Sequence, residues 1–471
     1  MPQGRGYSGL SSTDSSGRVP TKGEVMAARD GRAADGQPLS PEQRAVLELI
    51  ESTREHVFVT GRAGTGKSTL LEAFIASTDR SVVVCAPTGV AALNVGGQTI
   101  HSLFRLPIGL IADHDFDDPP ELRRLLASID TVVIDEVSMV SADLMDAIDR
   151  RLRQARARRH EPFGGVQVVL FGDPYQLAPV PGRDEGERAY YADHYRSIWF
   201  FDAAVWNEAD LRIVELQTIH RQHDADFRAM LTAVRHGTVT PEIGWALNEA
   251  GARPAPDEGV LTLATTNATV TRINMDALRR LPGDPKTARA DIAGEFGPKG
   301  GYPADEDLQL KVGAQVMFLR NDTGGDGHPR WVNGSLGTVE RIGRTVFVEV
   351  DGESHEVVPA TWEKYKYTYS AATKRVSKDV VAEFTQFPLR LAWAVTIHKS
   401  QGSTYDRAIV DLGPRAFAPG QTYVALSRIR SLDGLHLVRP LRPSDIIVDN
   451  DVRRFMAEAE PGIGRAIAAR P

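Results

Sequence analysis

The sequence predicts an α/β protein with parallel β-sheets that helices cover on both faces. Short, continuously apolar segments alternate with helical patterns, as at 81–87, 131–134 and 166–171, and such strands are typical of parallel sheets. A polar sequence follows each of these strands, at the end where open α/β sheets bind ligands. One earlier strand runs directly into a glycine-rich, phosphate-binding pattern. The same pattern therefore predicts both the fold class and the position of a ligand site.

The composition excludes several classes of protein. The 471 residues suffice for two or three domains, and 42% hydrophobic with 25% charged residues indicate a soluble globular protein. No apolar run is long enough to span a membrane, and the N-terminus lacks an apolar signal-peptide core. The single cysteine, Cys85, is interpreted as a buried hydrophobe in a reducing compartment. A net charge of −7 counts mildly against a nucleic-acid binder, although a groove needs only local positive charge.

The chain begins with a segment unlike the rest. Residues 1–38 are rich in Gly, Ser, Asp and Arg, and we interpret them as a disordered tail. The first helix is expected after Ser40, a good N-cap, with Pro41 at its first position. Gln43 lies where a capping-box partner would lie, so a cap is the simplest interpretation of this residue.

The central element of the sequence is the segment 61–69, GRAGTGKST, which fits the P-loop pattern. An apolar strand precedes it and a helical pattern follows it, which is the context that this motif requires. Its glycines would turn backbone N–H groups toward phosphate oxygens at a helix N-terminus. Lys67 would reach the β- and γ-phosphates, and the Ser68 hydroxyl would bind Mg²⁺. The predicted nucleotide-binding residues of this loop are Gly61, Ala63, Gly64, Thr65, Gly66, Lys67, Ser68 and Thr69.

Phosphoryl transfer to water requires a phosphate cradle, a metal, a positioned water and a positive charge. The P-loop provides the cradle, and residues after later strands are candidates for the other three roles. Asp135 fits a Mg²⁺ carboxylate and Glu136 a water-activating base, although the pair could instead cap a helix. Gln176 would sense the γ-phosphate, or could simply form a turn. Arg221 and Arg428 are candidate arginine fingers, although an isolated arginine is more often part of a surface ion pair. The predicted catalytic residues are Lys67, Asp135, Glu136, Gln176, Arg221 and Arg428.

A second α/β unit is predicted from about residue 212, with a strand at 260–264. Between 337 and 387 the pattern changes to short strands broken by glycine turns, which favours a small inserted β-barrel. The α/β pattern then resumes at 393–402. In the first unit, the arginine-rich helix face after Ile148 is expected to be solvated.

Seven segments in this order resemble the motifs of superfamily 1 helicases, namely 61–69, 86–92, 133–139, 172–180, 220–222, 395–404 and 423–428. Within that superfamily the chain resembles the PIF family of 5′-to-3′ DNA helicases, relatives of RecD. The segments 151–156 and 162–167 are similar to the family's signature between its second and third motifs. The resemblance covers about residues 39–440. One departure is Ala178-Pro179, where the family usually has two prolines; this changes the stiffness of a turn and removes no catalytic group.

The resemblance implies a domain organisation. Two RecA-like P-loop domains with parallel sheets would bind ATP between them. Domain 1A would span 39–211, including a reduced 1B wedge region at 105–128, and domain 2A would span 212–336 and 388–471. The segment 337–387 would be an SH3-like β-barrel, the 2B domain.

The resemblance also implies roles for residues. Gln43 would contact adenine, Glu136 would activate water, and Arg221 and Arg428 would reach the γ-phosphate from the second domain. Hydroxyls and amides hold phosphates and aromatic faces stack bases in such proteins. The residues implied to line a single-strand path are Thr88, Gly89, His101, Phe104, Asn267, His398, Lys399 and Thr404. Core packing is the alternative interpretation of Phe104.

The expected function is that of an ATP-dependent 5′-to-3′ DNA helicase that uses ATP and Mg²⁺. Its expected partners are single-stranded DNA and duplex junctions, and no membrane association is expected. We expect a monomer in a bacterial-type cytoplasm, associated with the nucleoid. The alternatives are a RecD-like subunit of a larger complex, a nucleotide-gated binding protein that does not unwind DNA, and a small-molecule kinase. The binding protein would lack Glu136, Gln176 or Arg428, and the kinase would leave the motifs after residue 212 unexplained.

Overall fold

The computed structural model describes residues 38–468 except 108, 112–118, 181–184, 223, 257–258, 297–301, 323–329 and 371–374. The predicted disordered tail, apart from Pro38, lies outside the described residues, as do 108 and 112–118 of the predicted wedge region. Within the described ranges, every helix is too short or too polar to cross a lipid bilayer.

The helices and strands follow the alternation that the sequence predicts in the first half of the chain. The helices are α1 (Pro41–Ser52), α2 (Lys67–Ser77), α3 (Gly89–Asn94), α4 (Ile100–Phe104), α5 (Pro120–Ser128), α6 (Ala142–Arg156), α7 (Glu185–His194), α8 (Ala204–Ala209), α9 (Ala225–His236), α10 (Pro241–Gly251), α11 (Asn267–Arg280), α12 (Gln421–Ser427) and α13 (Asn450–Ala468). The strands are β1 (Val57–Gly61), β2 (Val82–Ala86), β3 (Gln98–Thr99), β4 (Thr131–Ile134), β5 (Gln167–Phe171), β6 (Arg212–Leu216), β7 (Leu261–Ala264), β8 (Lys286–Arg289), β9 (Asp291–Gly294), β10 (Asp307–Leu310), β11 (Gln315–Phe318), β12 (Leu336–Ile342), β13 (Val346–Val350), β14 (Glu353–Val357), β15 (Ala360–Ser370), β16 (Arg375–Gln386), β17 (Leu389–Leu391), β18 (Ala394–Thr396), β19 (Ala408–Asp411) and β20 (Leu435–Leu437).

The first sheet has the strand order β3-β2-β4-β5-β1-β6, and all its pairs are parallel. Its central strands are buried along their whole length, because both faces are covered. Val57 and Val59 pack toward α1 and α2, while Phe58 enters the core on the opposite face. The predicted parallel sheet with two covered faces is confirmed. Cys85 is fully buried in β2, and burial raises the pKa of its thiol, as expected for a small hydrophobe.

The second sheet has the order β18-β7-β19-β20, again with parallel pairs. The two sheets contribute side chains to one hydrophobic core, in which Val132 and Ile134 of the first sheet lie in the same cluster as Leu261 and Val410 of the second. The carboxyl ends of β7 and β18 are adjacent, since the Ile397 N–H donates to the Ala264 carbonyl at 2.9 Å.

The antiparallel region is wider than the predicted insertion at 337–387. One sheet has the order β14-β13-β12-β11-β17, a second has the order β15-β16-β9, and β8 pairs with β10. Val316 and Phe318, outside the predicted range, share a core with Val339 and Val348 inside it. The antiparallel strands therefore extend over 286–391, and an SH3-like barrel at 337–387 stays a prediction.

The arginine-rich face of α6 is not simply solvated, so that expectation is wrong for its best-defined members. Arg153 pairs with Asp149 at 2.7 Å and with Glu208 at 2.6 Å. Arg156 donates to three backbone carbonyls, including that of Gly164 at 2.9 Å. Gly164 has a φ of 59°, and a Cβ there would lie 2.6 Å from the carbonyl oxygen of Leu152. Arg156 therefore holds the turn at 162–165 against the end of α6.

Candidate nucleotide site and nucleic-acid interface

The loop between β1 and α2 has the backbone of a phosphate cradle. Gly61, Gly64 and Gly66 have φ values of 148°, 82° and 79°, which favour glycine. A Cβ at Gly64 would lie 2.5 Å from the Arg221 Cβ, and one at Gly66 would lie 2.3 Å from the Gln43 Nε2. Helix α2 begins without a side-chain cap. Its first N–H groups can therefore bind an anion.

Lys67 is held over this loop. Its Nζ donates to the carbonyl oxygens of Gly61 at 2.6 Å and Arg62 at 3.1 Å. Burial lowers the pKa of its ammonium group, while the charges of Asp173 and Glu136 oppose that shift. Phosphate oxygens would be stronger acceptors than these carbonyls for a buried cation.

The other predicted loop residues divide into a buried and an accessible set. Thr65 is buried and donates to the Arg62 carbonyl, and the buried Ala63 donates its N–H to the Tyr423 hydroxyl. Ser68 is exposed and lines the cavity described below, and Thr69 is half-buried.

Gln43 forms the predicted capping box and also contacts the loop. Its backbone N–H donates to the Ser40 hydroxyl at 3.2 Å, and its Oε1 accepts from the Ser40 N–H at 2.9 Å. Its Nε2 donates to the Gly66 carbonyl at 3.1 Å. The predicted cap is confirmed, and the side chain lies beside the phosphate cradle.

Asp135 and Glu136 follow β4 and face the P-loop. Burial, and then the charge of Glu136, raise the pKa of Asp135 to about 7. Burial also raises the pKa of Glu136, while the charges of Lys67 and Arg428 act in the opposite direction. Glu136 has a φ of 50° and makes no side-chain cap bond to the turn that it precedes. The helix-cap alternative is therefore not supported for Glu136.

Asp173 and Gln176 lie after β5, on the same side of the sheet. Asp173 forms a buried ion pair with Arg235 at 3.0 Å. Burial alone would raise the pKa of Asp173, but the charges of Arg235 and Lys67 lower it below its usual value. Gln176 is buried, and a Cβ at Gly420 would lie 2.3 Å from its carbonyl oxygen. The start of α12 therefore packs directly on the Gln176 backbone.

Arg221 and Arg428 lie together beside the P-loop. Arg428 is 2% exposed and donates to the Val424 carbonyl at 3.1 Å and the Ser427 hydroxyl at 2.9 Å. Arg221 donates to the Ser427 carbonyl at 3.4 Å. Burial, and then the charge of Arg428, lower the pKa of Arg221 to about 9. Arg428 is too buried for a surface ion pair and Arg221 is half-buried, and their mutual repulsion favours an anion between them.

A cavity of about 820 Å³ begins at this site and runs toward the antiparallel region. Its lining includes Ser68, Asp135 and Glu136 at the catalytic site, and also Thr88, His398 and Lys399. Its far wall is formed by Leu319, Arg320, Asn321, Asn333, Thr361, Trp362, Glu363 and Tyr365. One continuous space therefore joins the predicted hydrolytic residues to residues predicted to contact a single strand.

The cavity includes some of the predicted strand-path residues and leaves others out. Gly89 begins α3, next to the lining residues Thr88 and Val90. Asn267 is exposed at the start of α11, and the half-buried His101 and Thr404 lie outside the cavity lining.

The assignment of Phe104 to the strand path is corrected. Its side chain is 0% exposed, and it packs in the core with Ile100 and Leu103 of the same helix. Neither ring face is available to stack a base, so core packing is the interpretation that the structure supports.

The far wall of the cavity was not predicted from the sequence. The guanidinium carbon of Arg320 lies 5.6 Å from the centroid of the Trp362 ring, and the Tyr365 carbonyl accepts a hydrogen bond from Gln98 of the first sheet. An arginine beside an aromatic ring is a common surface for single strands. The available signal was the run Trp362-Glu-Lys-Tyr-Lys in β15, which interleaves aromatic and basic residues.

The residues present fit both predicted cofactors. The uncapped α2 N-terminus, Lys67, Arg221 and Arg428 suit the charge of a triphosphate. The Ser68 hydroxyl and the Asp135 carboxylate line the same cavity, and oxygen ligands of this kind suit Mg²⁺. A bound cation would also favour the charged form of Asp135, whose pKa burial raises.

Comparisons with known proteins identify the family of this chain. A family model described as PIF1-like helicase matches residues 38–243. The ATP-dependent DNA helicase Pif1 of Bdellovibrio bacteriovorus is 35% identical over 90% of this chain and 92% of its own length. The ATP-dependent DNA helicase PIF1 of Mus musculus is 34% identical over 92% of this chain, which spans 64% of the mouse protein.

The solved structures agree as well. Bacteroides sp Pif1 in complex with ADP-AlF4 matches with a TM-score of 0.82 and 37% identity over 90% of this chain and 97% of that one. Bacteroides Pif1 bound to ssDNA matches with a TM-score of 0.66 and 37% identity, again over 90% of this chain and 97% of that one. The predicted α/β fold with two RecA-like domains is confirmed by these likenesses. The chain belongs to the PIF1-like helicase family.

Proposed function

We propose that this protein is an ATP-dependent DNA helicase that moves along single-stranded DNA. The observation that carries the proposal is the single cavity that joins Ser68, Asp135 and Glu136 to Thr88 and Lys399. Hydrolysis at one end of a shared space can move groups at its other end, which is what translocation requires. The names of the relatives support the same activity, since they are ATP-dependent DNA helicases.

The hydrolytic step follows from the chemistry of the buried charges. Glu136 takes the proton of the attacking water, and its raised pKa makes it a better base than an exposed carboxylate. Lys67, Arg221 and Arg428 neutralise the charge that develops on the transferred phosphoryl group. Ser68 and Asp135 would hold Mg²⁺, which when bound would neutralise charge at the phosphates.

The strand path runs between the two RecA-like domains and the antiparallel wall. Lys399 supplies a cation and Thr88 a hydroxyl for phosphates, and the Arg320 guanidinium, which lies over the largely buried Trp362 ring, supplies a planar face for bases. Such contacts tolerate any sequence, as a translocating protein needs. We propose that the protein moves in the 5′-to-3′ direction and acts as a monomer at duplex junctions. We place it in a bacterial-type cytoplasm, associated with the nucleoid. The predicted boundary at 211 falls one strand short, because β6 (Arg212–Leu216) pairs with β1 in the first sheet. We assign domain 1A to 39–216 and treat 286–391 as the outer wall of the path.

The test is ATP hydrolysis measured against the concentration of single-stranded DNA. Lys399→Ala should raise the DNA concentration for half-maximal stimulation several-fold, because a cation that contacts phosphate is lost, and should reduce the slope of log affinity against log salt by about 0.7. His398→Ala should also raise the DNA concentration for half-maximal stimulation but should leave the salt slope unchanged, because burial lowers the pKa of this imidazole and keeps it neutral. Lys286→Ala, which removes a lysine outside the cavity lining, should leave both quantities unchanged.

Two results would contradict the proposal. ATP hydrolysis that ignores single-stranded DNA would favour the small-molecule kinase. Stimulation with an unchanged salt slope in Lys399→Ala would place the strand elsewhere.

A further inference from the structure

The hydroxyl of Tyr423 bridges parts of the chain that are far apart in sequence. Tyr423 lies on α12 and is 4% exposed. Its oxygen accepts a hydrogen bond from the Ala63 N–H in the P-loop at 3.0 Å, and its hydroxyl lies 3.2 Å from the Asp173 Oδ2. One side chain of the second RecA-like domain therefore satisfies a buried donor and a buried acceptor of the first.

The direction of these bonds is fixed by the surrounding charges. The other oxygen of Asp173, Oδ1, accepts from Arg235 at 3.0 and 3.3 Å, and Arg235 also pairs with Glu215 at 3.2 Å. Asp173 is thus an anion and can only accept. Burial, and then the charge of Asp173, raise the pKa of the Tyr423 phenol, so the phenol stays protonated and donates to Asp173.

The same short helix brings Arg428 to the nucleotide site. Gly420, at its start, packs on the backbone of Gln176, and Arg428, at its end, lies close enough for its charge to lower the pKa of Glu136. Tyr423 lies between these two contacts. Its hydroxyl therefore fixes the position of α12 relative to the P-loop.

We propose that Tyr423 is a positioning residue that couples closure of the second domain to the phosphate-binding loop. This inference rests on the proposed ATPase function. When the domains separate, Ala63 and Asp173 lose the hydroxyl partner, and when they close they regain it. The bridge consequently favours the closed state in which Arg221 and Arg428 face the P-loop.

Tyr423→Phe keeps the ring and removes only the hydroxyl. In the closed state the Ala63 N–H would then be buried without a partner, which makes closure roughly tenfold less favourable. Because only the closed state binds nucleotide tightly, the KM for ATP should rise by roughly tenfold. The value of kcat should change less than about twofold, since saturating ATP still drives closure.

The experiment compares the parent, Tyr423→Phe and Tyr191→Phe. Tyr191 is the matched control, since its hydroxyl donates to the buried Asp143 at 2.5 Å within the first domain. We expect a higher KM for ATP, and weaker binding of a fluorescent non-hydrolysable ATP analogue, in Tyr423→Phe alone. Neither quantity depends on the fraction of folded protein, and a melting curve for each variant records any loss of stability.

The outcomes separate the inference from the proposed function. Equal KM and analogue affinity in Tyr423→Phe and the parent would overturn the inference, as would a fall in kcat and melting temperature with KM unchanged. A parent without DNA-stimulated hydrolysis would overturn the proposed function, and the analogue titration would still decide the inference.

Discussion

Arg428→Ala is expected to lower DNA-stimulated ATP hydrolysis roughly 10³-fold, the size of effect seen for arginine fingers. ATP and single-stranded DNA should still bind, because the P-loop and the cavity lining remain. The guanidinium is 2% exposed and is held by the Val424 carbonyl and the Ser427 hydroxyl. It is therefore fixed before the nucleotide binds, and its loss removes a positive charge that water cannot replace. Steady-state hydrolysis at saturating ATP and DNA measures the effect.

Arg430→Ala is the matched control for this variant. Arg430 lies two residues further on, is largely exposed, and pairs with Asp406 at 2.7 Å. An exposed pair of this kind contributes little, so the rate should be that of the parent. A loss of less than tenfold in Arg428→Ala would mean that this residue does not neutralise the transferred phosphoryl group.

Glu136→Gln is expected to keep ATP binding and to lower turnover by roughly 10²-fold or more. The amide fills the same volume but cannot accept the proton of the attacking water. Lys67 and Arg428 remain to hold the phosphates, so the affinity for a non-hydrolysable ATP analogue should be retained. Glu161→Gln, at an exposed glutamate that pairs with Arg158, controls for the loss of a carboxylate. Hydrolysis at the parent rate in Glu136→Gln would show that another group activates the water.

The first sheet could be predicted because its strands are buried on both faces and are therefore continuously apolar. The antiparallel region could not be bounded, because its pairing is set by residues distant in sequence. Met317 pairs with Leu336, and Phe318 pairs with Leu389. No local pattern in β11 indicates these partners, so the sequence alone does not show that β11 pairs with strands of this region.

In the site, too, residues in short local motifs could be predicted, and residues whose role depends on tertiary packing could not. The P-loop and the pair Asp135-Glu136 could be predicted because each is a short motif at the end of a strand. The bridge through Tyr423 could not, because it depends on how α12 packs against two loops of the other domain. Phe104 was misassigned because an aromatic residue at helical spacing fits a core as well as a stacking surface.

The central claim is that hydrolysis at Glu136 drives directional movement along a strand in the adjoining cavity. Strand displacement on duplexes with a 5′ or a 3′ single-stranded tail, with ATP and Mg²⁺, tests this claim most directly. The proposal predicts that the purified protein alone displaces the strand from the 5′-tailed duplex, that the 3′-tailed duplex stays intact, and that Glu136→Gln displaces neither. Displacement from the 3′ tail alone, or ATP hydrolysis on both substrates without displacement from either, would contradict it.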